Sequence, residues 1–211
     1  MDTRDILKDL ADMGYEDGMY LQGLYEEGDV VTLLTLLKRH RGTLMEMNMI
    51  RKEELNLVTE WDKTFPKSDK AEHSKVTFVN RYGITLAADM YIPKDAEGRL
   101  PAVAVSGPFG AVKEQCSGLY AQTLAERGFL TIAFDPSFTG ESSGYPRYMA
   151  SPDINTEDFM AAVDFLSLHD RVDPDRIGIL GICGWGGLAV NTAALDTRVK
   201  ATVAVTMYDM T

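Results

Sequence analysis

The chain has 211 residues, 45% of them hydrophobic and 25% charged, with a formal net charge of −11 at neutral pH. This is an ordinary globular composition, and the acidic balance argues against nucleic acid or an anionic membrane as main partner, because both attract basic patches. Two cysteines, Cys116 and Cys183, argue against a disulfide scaffold. No apolar run approaches the ~20 residues of a membrane span, and the N-terminus lacks the basic-then-apolar layout of a signal peptide, so a cytoplasmic location is expected.

Residues 1–60 predict a helical extension. Thr3 offers a cap, Ile6, Leu7, Leu10 and Met13 follow helical spacing, and Gly14 stops the run. A second helix is expected over Met19–Tyr25. A third begins near Asp29, carries Val30, Leu33, Leu34 and Leu37, and ends in Lys38, Arg39 and Arg41, where cations suit the helix dipole. Residues 43–60 are read as continuing helical. The extension reads either as an interaction or dimerisation bundle or as helices that pack on the larger domain.

Residues 61–75 are polar, contain Pro66 and several lysines, and read as a linker. Strands then alternate with helices, the pattern of an α/β layer architecture. Strands are expected at 75–80 and 84–92, joined by a turn at Tyr82-Gly83. Further strands are expected at 101–106, 129–134, 177–182 and 199–207, with helices at 115–127, 157–169 and 186–194. The strand at 101–106 is short, apolar and β-branched, as a buried parallel strand should be.

The most informative stretch is Arg176-Ile-Gly-Ile-Leu-Gly-Ile-Cys183-Gly-Trp-Gly-Gly187. An apolar strand runs into a glycine-rich turn that presents one nucleophilic side chain, and a helix follows at once. This is the layout of a nucleophile elbow, whose strained backbone needs small neighbours. Trp185 stands where such a turn wants a small residue, which leaves two registers open: Cys183 at the tip of the turn, or Trp185 there. His40, His73 and His169 read as surface or cap histidines, and their spacing gives no metal site.

From Trp61 to Thr211 the chain resembles the N-terminal two-thirds of an α/β-hydrolase, closest to the dienelactone-hydrolase-like and acyl-peptidase-like branch. The resemblance rests on ordered landmarks: the N-terminal hairpin, Ser106-Gly-Pro-Phe-Gly110, Asp135-Pro-Ser-Phe-Thr-Gly-Glu-Ser142, Val172-Asp-Pro-Asp-Arg-Ile177 and the elbow. It implies a mostly parallel sheet with flanking helices over residues 76–211, incomplete at the C-terminus. It also implies Cys183 as nucleophile, Gly184 and Phe109 as backbone N–H donors of an oxyanion hole, and an acid and a histidine on loops after later strands. Phe109, Tyr145 and Trp185 are candidates to line an acyl pocket. Asp135 is read as a brace of the fold, and Lys113 and Glu114 as solvated charges at a helix start.

The implied chemistry is hydrolysis of an ester, thioester, lactone or amide, impaired here because the triad acid and histidine are not in the chain. The substrate would be a small acyl compound, with no cofactor and no metal. The alternative is a non-catalytic binding or scaffold protein derived from a hydrolase. The terminal strand, left as a sheet edge, and the helical extension both leave room for homo-oligomers.

Overall fold

A computed structural model describes residues 52–208, and the expected helices within residues 1–51 lie outside the described residues. Residues 52–60 are irregular rather than helical. Their polar groups bond across to the domain instead of along the chain. The Lys52 ammonium donates to Thr77 O (3.0 Å), Glu53 N to Thr85 Oγ1 (2.8 Å) and Val58 N to Glu141 Oε1 (2.6 Å).

The elements are β1 (Ala71–Val79), β2 (Thr85–Pro93), β3 (Leu100–Ser106), α1 (Cys116–Ala125), β4 (Leu130–Phe134), α2 (Pro152–Ser167), β5 (Val172–Ile182), α3 (Gly184–Leu195) and β6 (Val199–Val205). They form one sheet in the order β1-β2-β4-β3-β5-β6. The β1–β2 and β2–β4 pairs are antiparallel, and β4–β3, β3–β5 and β5–β6 are parallel. The α/β class and the mostly parallel sheet with flanking helices are those expected.

Two apolar layers hold the sheet. On one face Phe159, Ala162, Val163 and Leu166 of α2 and Leu188 of α3 pack on Ala104, Ile132, Phe134, Ile177 and Ile179. On the other, Ala121 and Ala125 of α1 meet Val105, Ala133, Leu180 and Ile182. In β5, therefore, residues 177 and 179 serve one layer and 180 and 182 the other, the two-residue period of a strand covered on both faces. Each buried large side chain contributes about 1.5–3 kcal/mol.

Two boundaries differ from expectation. β1 starts at Ala71, inside the expected linker, because Glu72, His73, Ser74 and Lys75 pair across to Ile92, Tyr91, Met90 and Asp89. α2 starts at Pro152, five residues before Glu157. Ser151 Oγ accepts from Ile154 N, and Pro152 occupies the first turn, where its missing N–H costs nothing.

Residues 61–70 are not a free linker either. Phe65 is buried, Thr64 N donates to Glu114 O (2.9 Å), and the Gln122 amide clasps the segment, donating to Pro66 O and accepting from Ser68 N (both 3.0 Å). The outer edge of β6 pairs with no strand among the described residues.

Candidate active site

The C-terminal ends of the parallel strands bring four segments to one edge: Cys183 after β5, the 107–115 loop after β3, Asp135 after β4, and residues 206–208 after β6. Cys183 has φ 62° and ψ −131°, a conformation that costs a non-glycine residue on the order of 1–3 kcal/mol. It is held there from both sides. Its N–H donates to Val205 O at 2.8 Å, extending the β5–β6 ladder into the turn, and its carbonyl accepts from Gly186 N at 2.9 Å, starting α3.

The turn closes only because its neighbours lack side chains. A β-carbon on Gly181 would stand 2.0 Å from the Trp185 carbonyl oxygen, and one on Gly184 would stand 2.2 Å from the Phe109 ring. Of the two registers left open, the geometry has Cys183 at the tip of the turn. Trp185 lies in the first turn of α3, 1% exposed, with its ring among Phe109, Phe134 and Phe159. The expectation that Trp185 lines an open pocket is therefore corrected: it is a core residue. Tyr145, on the loop between β4 and α2, is 86% exposed and projects outward.

Phe109 and Gly184 come together. The Phe109 ring covers Gly184, so the 107–110 loop lies directly over the N-terminus of α3. Cys183 is half-buried, and both it and Cys116 pack on the α1-side layer. Burial pushes the Cys116 thiol up, against hydrogen bonds from backbone N–H groups, and the Cys183 charge adds to the rise. Cys116 Sγ lies 3.8 Å from Gly107 O.

One neighbour of the thiol had no strong signal in the sequence. Tyr208, three residues beyond β6, sets its hydroxyl over Gly184, 3.1 Å from where a β-carbon would stand. Its phenol is raised above the ordinary value of 10.0 by desolvation and by the nearby Cys183 thiol.

The histidines are elsewhere. His73, expected at the surface, lies on β1 with its side chain only 12% exposed, and its Nε2 is 2.8 Å from Asp89 Oδ1. His169 follows α2 at the opposite end of the sheet, where its Nδ1 accepts from Arg171 N. His40 lies outside the described residues.

Lys113 is a second correction. The sequence reads it as solvated, yet its side chain is fully buried, and its ammonium lies 2.6 Å from Glu114, 2.8 Å from Asp135 and 2.6 Å from Glu141. Burial works against its charge, but the Asp135, Glu114 and Glu141 carboxylates outweigh it and raise its pKa. Those three carboxylates have oxygens within 4.8 Å of one another, a spacing that could hold a metal ion. The Lys113 ammonium already provides the counter-charge at the centre of that set. A cleft of about 350 Å³ beside it is lined by Val58, Thr64, Gln115 and Glu141 among others, and does not include the thiol.

A model of the X-Pro dipeptidyl-peptidase (S15) family matches residues 82–210. An uncharacterized protein of Pseudomonas aeruginosa is 70% identical over 159 residues, covering 75% of this chain and 43% of that protein. Its crystal structure superposes with a TM-score of 0.74 at 69% identity, covering 75% of this chain and 50% of that one. A thiohydrolase of Aspergillus aculeatus is 32% identical, covering 65% of this chain and 42% of its own. Acetyl xylan esterase 1 of a Thermoanaerobacterium species shares the fold at 21% identity, with a TM-score of 0.58 over 78% of this chain and 55% of that one. The chain spans less than half the length of these curated relatives.

Proposed function

The chain belongs to the X-Pro dipeptidyl-peptidase (S15) family, within the α/β-hydrolase superfamily, and from that premise we propose acyl-transfer chemistry through the Cys183 sulfur. One observation carries this reading. Cys183 is a non-glycine residue held at φ 62° in the turn between the end of β5 and the start of α3, the strained position that a nucleophile elbow gives its nucleophile.

In this reading the sulfur attacks the carbonyl of an ester or thioester, the C–O or C–S bond breaks, the alcohol or thiol leaves with a proton from solvent, and an acyl-enzyme remains. The Gly184 N–H, at a helix start, faces the developing oxyanion, and the Phe109 N–H is the second donor, from the loop lying over Gly184. A relative named as a thiohydrolase, at 32% identity, supports thioesters among the substrates.

Water must then release the acyl group, and that step wants a histidine. His73 is engaged with Asp89, and His169 lies at the other end of the sheet. The acid and base are expected on segments that follow those described, as the greater length of the relatives allows. The 211 residues alone should accordingly acylate and turn over slowly, because loss of a base removes several orders of magnitude of rate. The placement of these histidines also favours the second reading, a hydrolase-derived binding module.

The test is turnover of short-chain p-nitrophenyl esters and of acyl thioesters by the purified chain and by Cys183→Ala, with mass spectrometry for an acyl adduct. An adduct or turnover lost in the variant supports the nucleophile. Equal turnover in both, with no adduct on Cys183, favours the binding module.

A further inference from the structure

The start of α3 is walled from two sides. A β-carbon on Gly184 would stand 2.2 and 2.6 Å from two carbons of the Phe109 ring and 3.1 Å from the Tyr208 hydroxyl. Two residues on, a β-carbon on Gly186 would meet Met207 Cβ at 2.9 Å. One wall thus comes from the loop after β3 and the other from the segment after β6. Met207 and Tyr208 are exposed, whereas the Phe109 ring is half-buried and backed by the buried Trp185 ring, 6.0 Å away between centroids. The loop that carries Phe109 has no room to retreat toward the sheet. A β-carbon on Gly107, φ 97°, would stand 2.4 Å from Ile182 O and 2.6 Å from Trp185 Cβ.

Resting on the reading of Cys183 as nucleophile, we infer that the Phe109 side chain sets the size of the acyl group: short acyl chains fit beside the ring, and bulky ones must displace it. A carbonyl oxygen that accepts from the Gly184 N–H comes within about 2.9 Å of that nitrogen. The nitrogen is one bond, about 1.5 Å, from the α-carbon that the ring covers. An acyl chain attached to that carbonyl therefore meets the ring within its first few carbons. In the same reading Phe109 also offers its N–H to the oxyanion. A chain that pushes the ring aside moves the donor with it, so a misfit costs rate as well as affinity. The substrate class is esters and thioesters of small acids.

The experiment compares iodoacetamide with N-benzyl iodoacetamide on the full 211-residue chain, reading Cys183 by peptide mass spectrometry. Both reagents form the same C–S bond and expel iodide, and each rate is divided by that reagent's rate with glutathione. The parent should favour the small reagent by about tenfold or more, the scale on which an apolar pocket discriminates by size. Phe109→Ala removes the ring and keeps the backbone N–H, so it should bring the two rates together. A parent without preference, or a ratio unchanged in the variant, overturns the inference. So does a Cys183 that rejects both reagents in both proteins.

If Phe109→Ala melts early, Phe109→Leu keeps an apolar contact for Trp185 and should give an intermediate ratio, while Phe109→Trp should widen it. A general loosening of the fold would admit both reagents alike, and a ratio that stays put in these variants overturns the inference. Alkylation needs neither turnover nor a base. A Cys183→Ala variant that keeps full esterase activity therefore ends the nucleophile reading and leaves the alkylation ratio standing.

Discussion

The Lys113 ammonium lies 2.8 Å from Asp135 Oδ2 with both side chains fully buried, and Asp135 Oδ1 accepts from the Lys113 N–H, also at 2.8 Å. One residue thus supplies both the charge and the backbone donor that hold the carboxylate at the end of β4. Asp135 Oδ2 further accepts from Glu141 N at 2.9 Å, which pins the loop after β4 to the loop before α1. Lys113→Met should lower unfolding stability by about 3–5 kcal/mol, because it strands buried carboxylates. Adding Asp135→Asn should give a double variant that loses less than the sum of the singles. Urea denaturation of the four proteins measures this, and additive losses would show the pair uncoupled.

Acid should destabilise the domain through two carboxylates. Burial pushes Asp89 up, but the His73 hydrogen bond and the Lys63, Lys113 and Lys75 charges outweigh it and hold it below its ordinary 3.8. Burial likewise opposes Glu141, and hydrogen bonds from Lys113, Lys75 and Val58 N hold it below 4.5. Both are lowered in the folded state, so their contribution is complete above the ordinary carboxylate range and is lost as pH falls through the folded values. Stability should therefore decline below about pH 4. Asp89→Asn and Glu141→Gln should each flatten that decline, read from urea midpoints along an acid series.

The turn at Cys183 should be intolerant of a single methyl group. Gly181→Ala would set a β-carbon 2.0 Å from the Trp185 carbonyl oxygen and 2.9 Å from Ala189 Cβ. The first of these is backbone and cannot swing aside. A loss of about 1–3 kcal/mol is expected, as for overpacked cores. Shaving the second neighbour with Ala189→Gly should not restore the melting temperature, and full restoration would locate the conflict in the side chain instead.

Trp185 and Tyr145 should part company. Trp185→Ala is expected to cost about 3–5 kcal/mol, the range for deleting a buried aromatic ring. Tyr145→Ala should stay within about 0.5 kcal/mol, as exposed substitutions do. Denaturation midpoints decide. A Trp185→Ala variant of unchanged stability with altered acyl-substrate affinity would return that ring to the pocket.

The parallel core was legible because strands buried on both faces are apolar runs, as in β3 and β4, and because glycines cluster where the chain after β5 turns sharply. The start of α2 was missed because the helix was read from its apolar face, which begins further on than the Ser151 cap and Pro152. The buried charges were not legible. Nothing local marks Lys113 as interior, since its burial depends on Asp135, Glu141 and Glu114 converging on it in space. His73 finds Asp89 only through the antiparallel register of β1 and β2, which sets His73 against Tyr91 and Lys75 against Asp89. Tyr208 comes to lie over Gly184 because β5 and β6 run side by side, a pairing that no spacing along the chain announces.

The segment ahead of β1 bears on where this domain can be cut. The first strand begins at Ala71, and a shortened chain starting there would keep every strand and helix described. It would also discard Lys63, whose ammonium lies 3.1 Å from the buried Asp89 Oδ2, and Trp61, whose ring meets His73 edge-on at 5.2 Å. The result would be a hairpin with an interior carboxylate laid open and its roof gone. A minimal domain that folds should therefore begin no later than Trp61, ten positions ahead of the first strand.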